Sequence, residues 1–108
     1  MSESDWRIYN ALIPILRERY LVGRNAKLAA LLTNNSKTET ERFWEAEELV
    51  RKEAKILESC FGRHSRSNMY FSLVIMIGHG LLLRSDVTEF SEELRLQLNR
   101  SFDERGIG

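Results

Sequence analysis

Apolar residues recur along this 108-residue chain with a helical period, in four stretches separated by short polar segments. In the first, Trp6, Ile8, Tyr9, Leu12, Ile13, Ile15, Leu16 and Tyr20 share one half of a helical wheel, which predicts an amphipathic helix starting near Asp5. Ser2 and Asp5 stand at the spacing of an N-terminal cap. Pro14 lacks a backbone donor and predicts a kink or a start within this pattern. Past Gly23 the phase slips. Lys27 falls in the middle of the apolar stripe, while Leu28, Leu31 and Leu32 move to another face. A bend or break near Gly23 and a second short helix through Leu32 are the expectation, followed by a polar loop from Thr33 to Lys37.

The next stretch predicts the longest straight helix, from Thr38 to Phe61. Thr38 and Glu41 have the spacing of a capping box, and Gly62 suits a C-terminal cap. Phe43, Ala46, Val50, Ala54, Leu57 and Phe61 follow a 3.6-residue period and are expected inward. Leu49, Ile56 and Cys60 form a second stripe about 120° away on the same wheel. Two apolar stripes predict a helix with two neighbours.

A polar connector, Arg63 to Ser67, leads into Met69–Leu83, which is apolar nearly all round. A helix of this kind in a small protein is expected at the centre, although Gly78 and Gly80 each cost about 1 kcal/mol inside a helix. Asp86 with Glu89 marks a further cap, after which Val87, Phe90, Leu94, Leu98 and Phe102 fall in one arc. The tail from Asp103 is expected to fray. The fold class is therefore all-α: a single domain over residues 1–108, a small bundle of four to five helices with a central apolar helix at about 69–83.

Composition supports a packed core, since Leu, Ile, Val and Phe supply 31 of the 108 residues. Sixteen basic and sixteen acidic side chains cancel, which argues against a globally basic nucleic-acid scaffold. The charges nonetheless alternate by segment, roughly +3, −3, +3 and −3 over residues 1–37, 38–58, 59–85 and 86–108. One cysteine excludes an internally disulfide-stapled fold. The acidic N-terminus reads as no signal peptide, and the longest apolar run is shorter than the roughly 20 residues of a membrane span, so a cytoplasmic protein without membrane insertion is the expectation.

Candidate chemistry is sparse. Glu45 and Glu48 could hold a divalent cation one turn apart, but the following helix has no acidic residue to complete the site. Two histidines and one cysteine lack metal-ligand spacing, so neither metal nor cofactor is expected. His79, between Gly78 and Gly80, reads as a core histidine bonded to a carbonyl. Cys60 reads as a small packing residue. The connector is the one plausible binding feature: Arg63, His64 and Arg66 precede a helix N-terminus, where free N–H groups and guanidinium groups favour an anion or an acidic partner.

The expectation for function is a non-enzymatic helical protein-interaction or regulatory module. Self-association would run through Leu49, Ile56 and Cys60 or through the 69–83 helix, with Trp44 as a further contact residue off the core stripe. A nucleic-acid-associated protein using Arg63 and Arg66 is the runner-up. An enzyme ranks last, because no complete acid–base, nucleophile or metal set is present.

Overall fold

The computed structural model describes residues 2–62 and 64–107. Among them are four α-helices and no strand: α1 Glu3–Leu32, α2 Glu39–Phe61, α3 Met69–Gly78 and α4 Glu92–Glu104. Short 3-10 turns at Arg66–Asn68 and Arg84–Val87 lead into and out of the α3 region. The fold is all-α, a small bundle, as the periodicity predicts.

Local chemistry explains the helix starts. Ser2 accepts the Asp5 N–H at 3.1 Å and caps α1. Thr38 and Glu41 exchange both bonds of a capping box at the start of α2. The last helix starts later than Asp86 and Glu89 suggest. Its cap is Ser91, whose Oγ accepts the Leu94 N–H, while Asp86 lies in the preceding 3-10 turn and pairs with Arg19 of α1. Asp5 reaches across to hold that cap. Its two carboxylate oxygens accept from the Ser91 N–H and hydroxyl, each at 2.7 Å.

The expected break at Gly23 does not occur. Helix α1 runs unbroken for 30 residues, through Pro14 as well, and is longer than the 23 residues of α2. The phase slip is real but has another cause. Among the buried and half-buried positions of α1, which also include Asp5, Trp6, Ile8, Leu12, Arg17 and Leu21, one row runs Tyr9, Ile13, Leu16, Tyr20, Arg24, Leu28, Leu31. Three consecutive four-residue steps interrupt the alternation of threes and fours, which is a stutter rather than a break. It turns the inward face of α1 from the α3–α4 side to the α2 side. Gly23 costs about 1 kcal/mol in a helix, and the good helix formers Arg24, Ala26, Lys27, Leu28, Ala29 and Ala30 outweigh it.

The inward face of α2 is also corrected. Ala46, Leu49, Glu53 and Cys60 are buried and Ile56 half-buried, whereas Phe43 and Val50 are 59% and 51% exposed and Leu57 is half-buried. The stripe expected to be lateral is the one that packs on α1. A carboxylate, Glu53, sits in the middle of this stripe and makes it read as a lateral one. Glu53 accepts a short hydrogen bond from Tyr20 and lies 3.6 Å from Arg24, both on α1. A buried charge with such partners is tolerated at a core position.

The apolar run 69–83 is not one helix. It stops at Gly78 in a Schellman motif: the Gly80 N–H bonds the Ile77 carbonyl, the Leu81 N–H bonds the Met76 carbonyl, and Gly80 adopts φ +78°. Nor is α3 apolar-buried all round, since Phe71 is 69% exposed. The same motif closes α4 at Gly106 (φ +70°). The expected fraying is thus absent up to Ile107, which packs on the core while Arg84 holds the Ile107 carbonyl and, at 2.6 Å, Asp103.

One core joins Tyr9, Ile13 and Leu16 of α1, Cys60 of α2, Leu73, Met76 and Ile77 of α3, Leu81, Leu82, Val87 and Phe90, and Leu94, Leu98 and Phe102 of α4. This is the base of the molecule. Beyond it, α1 from Leu21 and α2 up to Ala54 continue as a two-helix arm. The overall extents are 52 × 27 × 17 Å and the radius of gyration is 16.5 Å, against about 13 Å for a compact domain of this length.

Candidate interaction surface

The connector folds back onto the protein. Arg63 lies outside the described residues. Ser65 caps the 3-10 turn by accepting the Asn68 N–H at 3.3 Å. Arg66 donates to both carboxylate oxygens of Glu3, at 2.6 and 2.8 Å, with its guanidinium carbon 5.8 Å from the centre of the Trp6 ring. His64 Nδ1 is 3.1 Å from the hydroxyl of fully buried Tyr9. His64 and Arg66 are thus brought together with the start of α1, and their visible chemistry is to fasten α3 to it. His79 is corrected as well. It is exposed just past the end of α3, where its N–H bonds the Ile75 carbonyl.

Three titratable groups elsewhere, Cys60, Asp5 and Asp86, are engaged in the fold. Burial pushes the Cys60 thiol up to about 11, which disfavours the nucleophilic thiolate. Burial acts to raise the Asp5 pKa, but the bonds from Ser91 and Ser2 outweigh it and hold the group below its ordinary value. Asp86 behaves alike: burial is offset by Arg19 and by the Leu83 N–H. Among the described residues, no group of three His, Cys, Asp or Glu side chains is placed to hold a metal ion. No described helix is long and apolar enough to cross a membrane.

Of the four expected contact residues, Leu49 and Cys60 are enclosed in the fold, Ile56 is half-buried against the core, and only Trp44 is exposed, at 60%. The apolar surface lies elsewhere. Phe43, Val50, Ala54, Leu57 and Phe61 form a stripe on α2 about 90° from the face that packs on α1. On α1, Leu21, Leu28 and Leu32 sit about 110° around from Tyr9, Ile13 and Leu16, which face the base core. The two rows border one hollow of about 140 Å³, lined by Leu21, Arg24, Leu28, Leu49, Val50 and Leu57 among others, all from α1 and α2. The opposite face of the arm carries the charged side chains Lys27, Lys37, Glu45, Glu48 and Lys52 around Leu31 and Leu49.

The α2 half of this surface is visible in the sequence as a periodic stripe, of which Ala46 is buried and Phe61 half-buried as expected, while Phe43 and Val50 face outward. The α1 half had only the phase slip as its signal. A second cleft, about 590 Å³, runs between the end of α2 and α3 past Lys55, Glu58, Phe71 and Ile75. Through Phe71 and Ile75 the 69–83 segment contributes to this cleft. Neither a protein family, nor a curated protein, nor a solved structure matches this chain.

Proposed function

We propose that this chain is a non-enzymatic helical protein-interaction module whose two-helix arm engages the partner. One observation carries the reading: α2 has two apolar stripes, of which the fold covers one along its length and the other only at its Leu57–Phe61 end, where Phe61 packs against the base core. Phe43 and Val50 of the other are more than half exposed, and Leu32 beside them is 47% exposed. Large contiguous apolar surface of this kind marks contact sites in soluble proteins. The asymmetry of the arm, apolar on one face and charged on the other, supports docking through a defined side. Engagement of Asp5, Asp86, Glu53 and Cys60 within the fold supports the non-enzymatic part. The pairing of Arg66 with Glu3 weighs against the nucleic-acid reading.

A photo-crosslinking side chain in place of Val50, expressed in the native host, tests this. The expected result is a protein adduct at position 50 and none when the probe replaces Lys52 on the charged face. An adduct to nucleic acid, or no adduct at 50, overturns it.

A further inference from the structure

Resting on that reading, we infer that the occupant of the apolar arm face is a second copy of this chain, packed antiparallel about a two-fold axis near Val50 and Ala54, so that two hairpin arms close a four-helix bundle.

The face is built to fit itself. A two-fold contact presents the same patch from both sides, so it needs protrusion and hollow together. Phe43, Val50 and Leu57 stand seven residues apart as a ridge, the spacing of knobs in helical bundles. Beside them on the same face lies the hollow of about 140 Å³ between the two helices, deepened by the small side chain of Ala54. Rotation about an axis between Val50 and Ala54 sets Val50 of each copy against the small Ala54 of the other, at the edge of the hollow, and Phe43 toward the other copy's Phe61 end.

Layering points the same way. Stable helical domains bury their apolar faces between two layers. At the base, α3 and α4 supply the second layer; the hollows on both faces of the arm are bordered by α1, α2 and their connecting loop alone. From Phe43 to Phe61 the stripe is about 27 Å long, and two helices are about 20 Å wide, a flat footprint of about 540 Å² that the relief of the side chains brings to the low end of the roughly 600–1,000 Å² per partner of a stable interface.

Charge fits a copy better than a partner of one sign. A symmetric contact opposes each edge to itself, so a block of like charge would repel. The edge of this face instead carries Glu47 and Arg51 as an ion pair at 3.5 Å, with Glu58 and Lys55 beyond them. The chain as a whole has no net charge.

Sedimentation equilibrium of the purified protein is the test. The wild type is expected at twice the 12.6 kDa chain mass. Val50→Glu places two carboxylates at the axis and is expected to weaken dimerisation at least about 100-fold with unchanged helical circular dichroism. Phe71→Glu, on α3 outside the face, leaves the dimer intact. A second variant guards against misfolding: Val50→Cys with a short bismaleimide gives a doubled band and Lys52→Cys does not, Cys60 being enclosed in both. A wild type that stays at the single-chain mass up to about 1 mM overturns the second copy, as does dimerisation that Val50→Glu leaves untouched. If Val50 then photo-crosslinks to a different protein, the docking reading stands and only the identity of the occupant falls. If it crosslinks to nothing, both fall.

Discussion

At the base of the molecule, Tyr9 and Leu16 of α1 are wholly buried in one core together with Leu73 of α3 and Leu98 and Phe102 of α4. Along the arm, the same two long helices bury only Ala46, Leu49 and Glu53, and one of those three is a carboxylate. The helices are equally regular in both halves. What differs is the number of layers. Two amphipathic helices side by side can satisfy each other along one seam only, and each keeps a lateral stripe. At the base other elements cover what remains; on the arm the stripe stays open. Secondary structure therefore says little about where stability resides, and a helix can pass from a well-packed region to a thinly packed one without a break.

The sharpest way to break this contrast is to delete equivalent contacts on each side. Phe102→Ala in the base is expected to cost about 3–5 kcal/mol, and Leu49→Ala in the arm about 2 kcal/mol, the low end for a buried leucine, because its surroundings are open enough to relax. Thermal unfolding reads both. Each 1 kcal/mol lowers Tm by roughly 4–8 °C in a domain of this size. Equal losses at the two sites would show that the arm is as tightly held as the base.

The Asp5 carboxylate fastens the start of α4 to α1, with no counterpart on the arm. Asp5→Ala leaves the Ser91 N–H and hydroxyl without their acceptor and should cost about 1–3 kcal/mol. The pH dependence follows from the direction of the shift. The folded protein holds Asp5 and Asp86 below the ordinary carboxylate value of 3.8. Their contribution is thus complete above the unfolded pKa and is lost as pH falls through about 4 and below. Urea midpoints between pH 5 and 2.5 should drop less steeply in Asp5→Ala than in the wild type. Parallel curves would remove Asp5 from the account.

Much of this architecture was legible in the chain. Capping residues named the starts of α1 and α2, and the apolar arc Val87–Phe102 named the last packing surface, because these are local signals. Three features were not legible, each for a physical reason. The Gly23 slip looks the same on a wheel whether a helix breaks or rotates its buried face. The choice between the two stripes of α2 depended on Glu53, whose partners Tyr20 and Arg24 lie some thirty residues away in sequence. The stop at Gly78 was announced by Gly78 and Gly80 but competed with continuous hydrophobicity. The candidate surface was half legible for the same reason: periodicity shows that a stripe is apolar without showing whether the chain itself covers it.

Tyr20 and Glu53 offer an alkaline probe of the arm. Burial, with the Glu53 hydrogen bond next, pushes the Tyr20 phenol up to about 12 from its ordinary value of 10.0. Its contribution is complete below pH 10 and is lost as pH rises toward 12. Tyr20→Phe should cost about 1–2 kcal/mol at neutral pH, because Glu53 keeps only Arg24, and should flatten this alkaline loss. Ultraviolet absorbance of tyrosinate checks the assignment. Disappearance of an early-titrating tyrosine in the variant, rather than a late one, would contradict the buried pair.

The smallest expected effect lies at the junction of the two halves. A methyl group added at Gly23 would meet nothing within 4 Å, and the residue sits in the middle of α1 without a positive φ. Gly23→Ala should therefore stabilise the protein by about 0.5–1 kcal/mol, through higher helix propensity and a less flexible unfolded chain. The gain should appear in the arm more than in the base, since helix continuity is what ties the arm to the enclosed core. Hydrogen exchange measured amide by amide resolves this: slower exchange over residues 21–32, with little change around Tyr9 and Leu16, is the expected pattern. A loss of stability instead would mean that the glycine is needed to bend the chain, and the stutter would have to give way to a hinge.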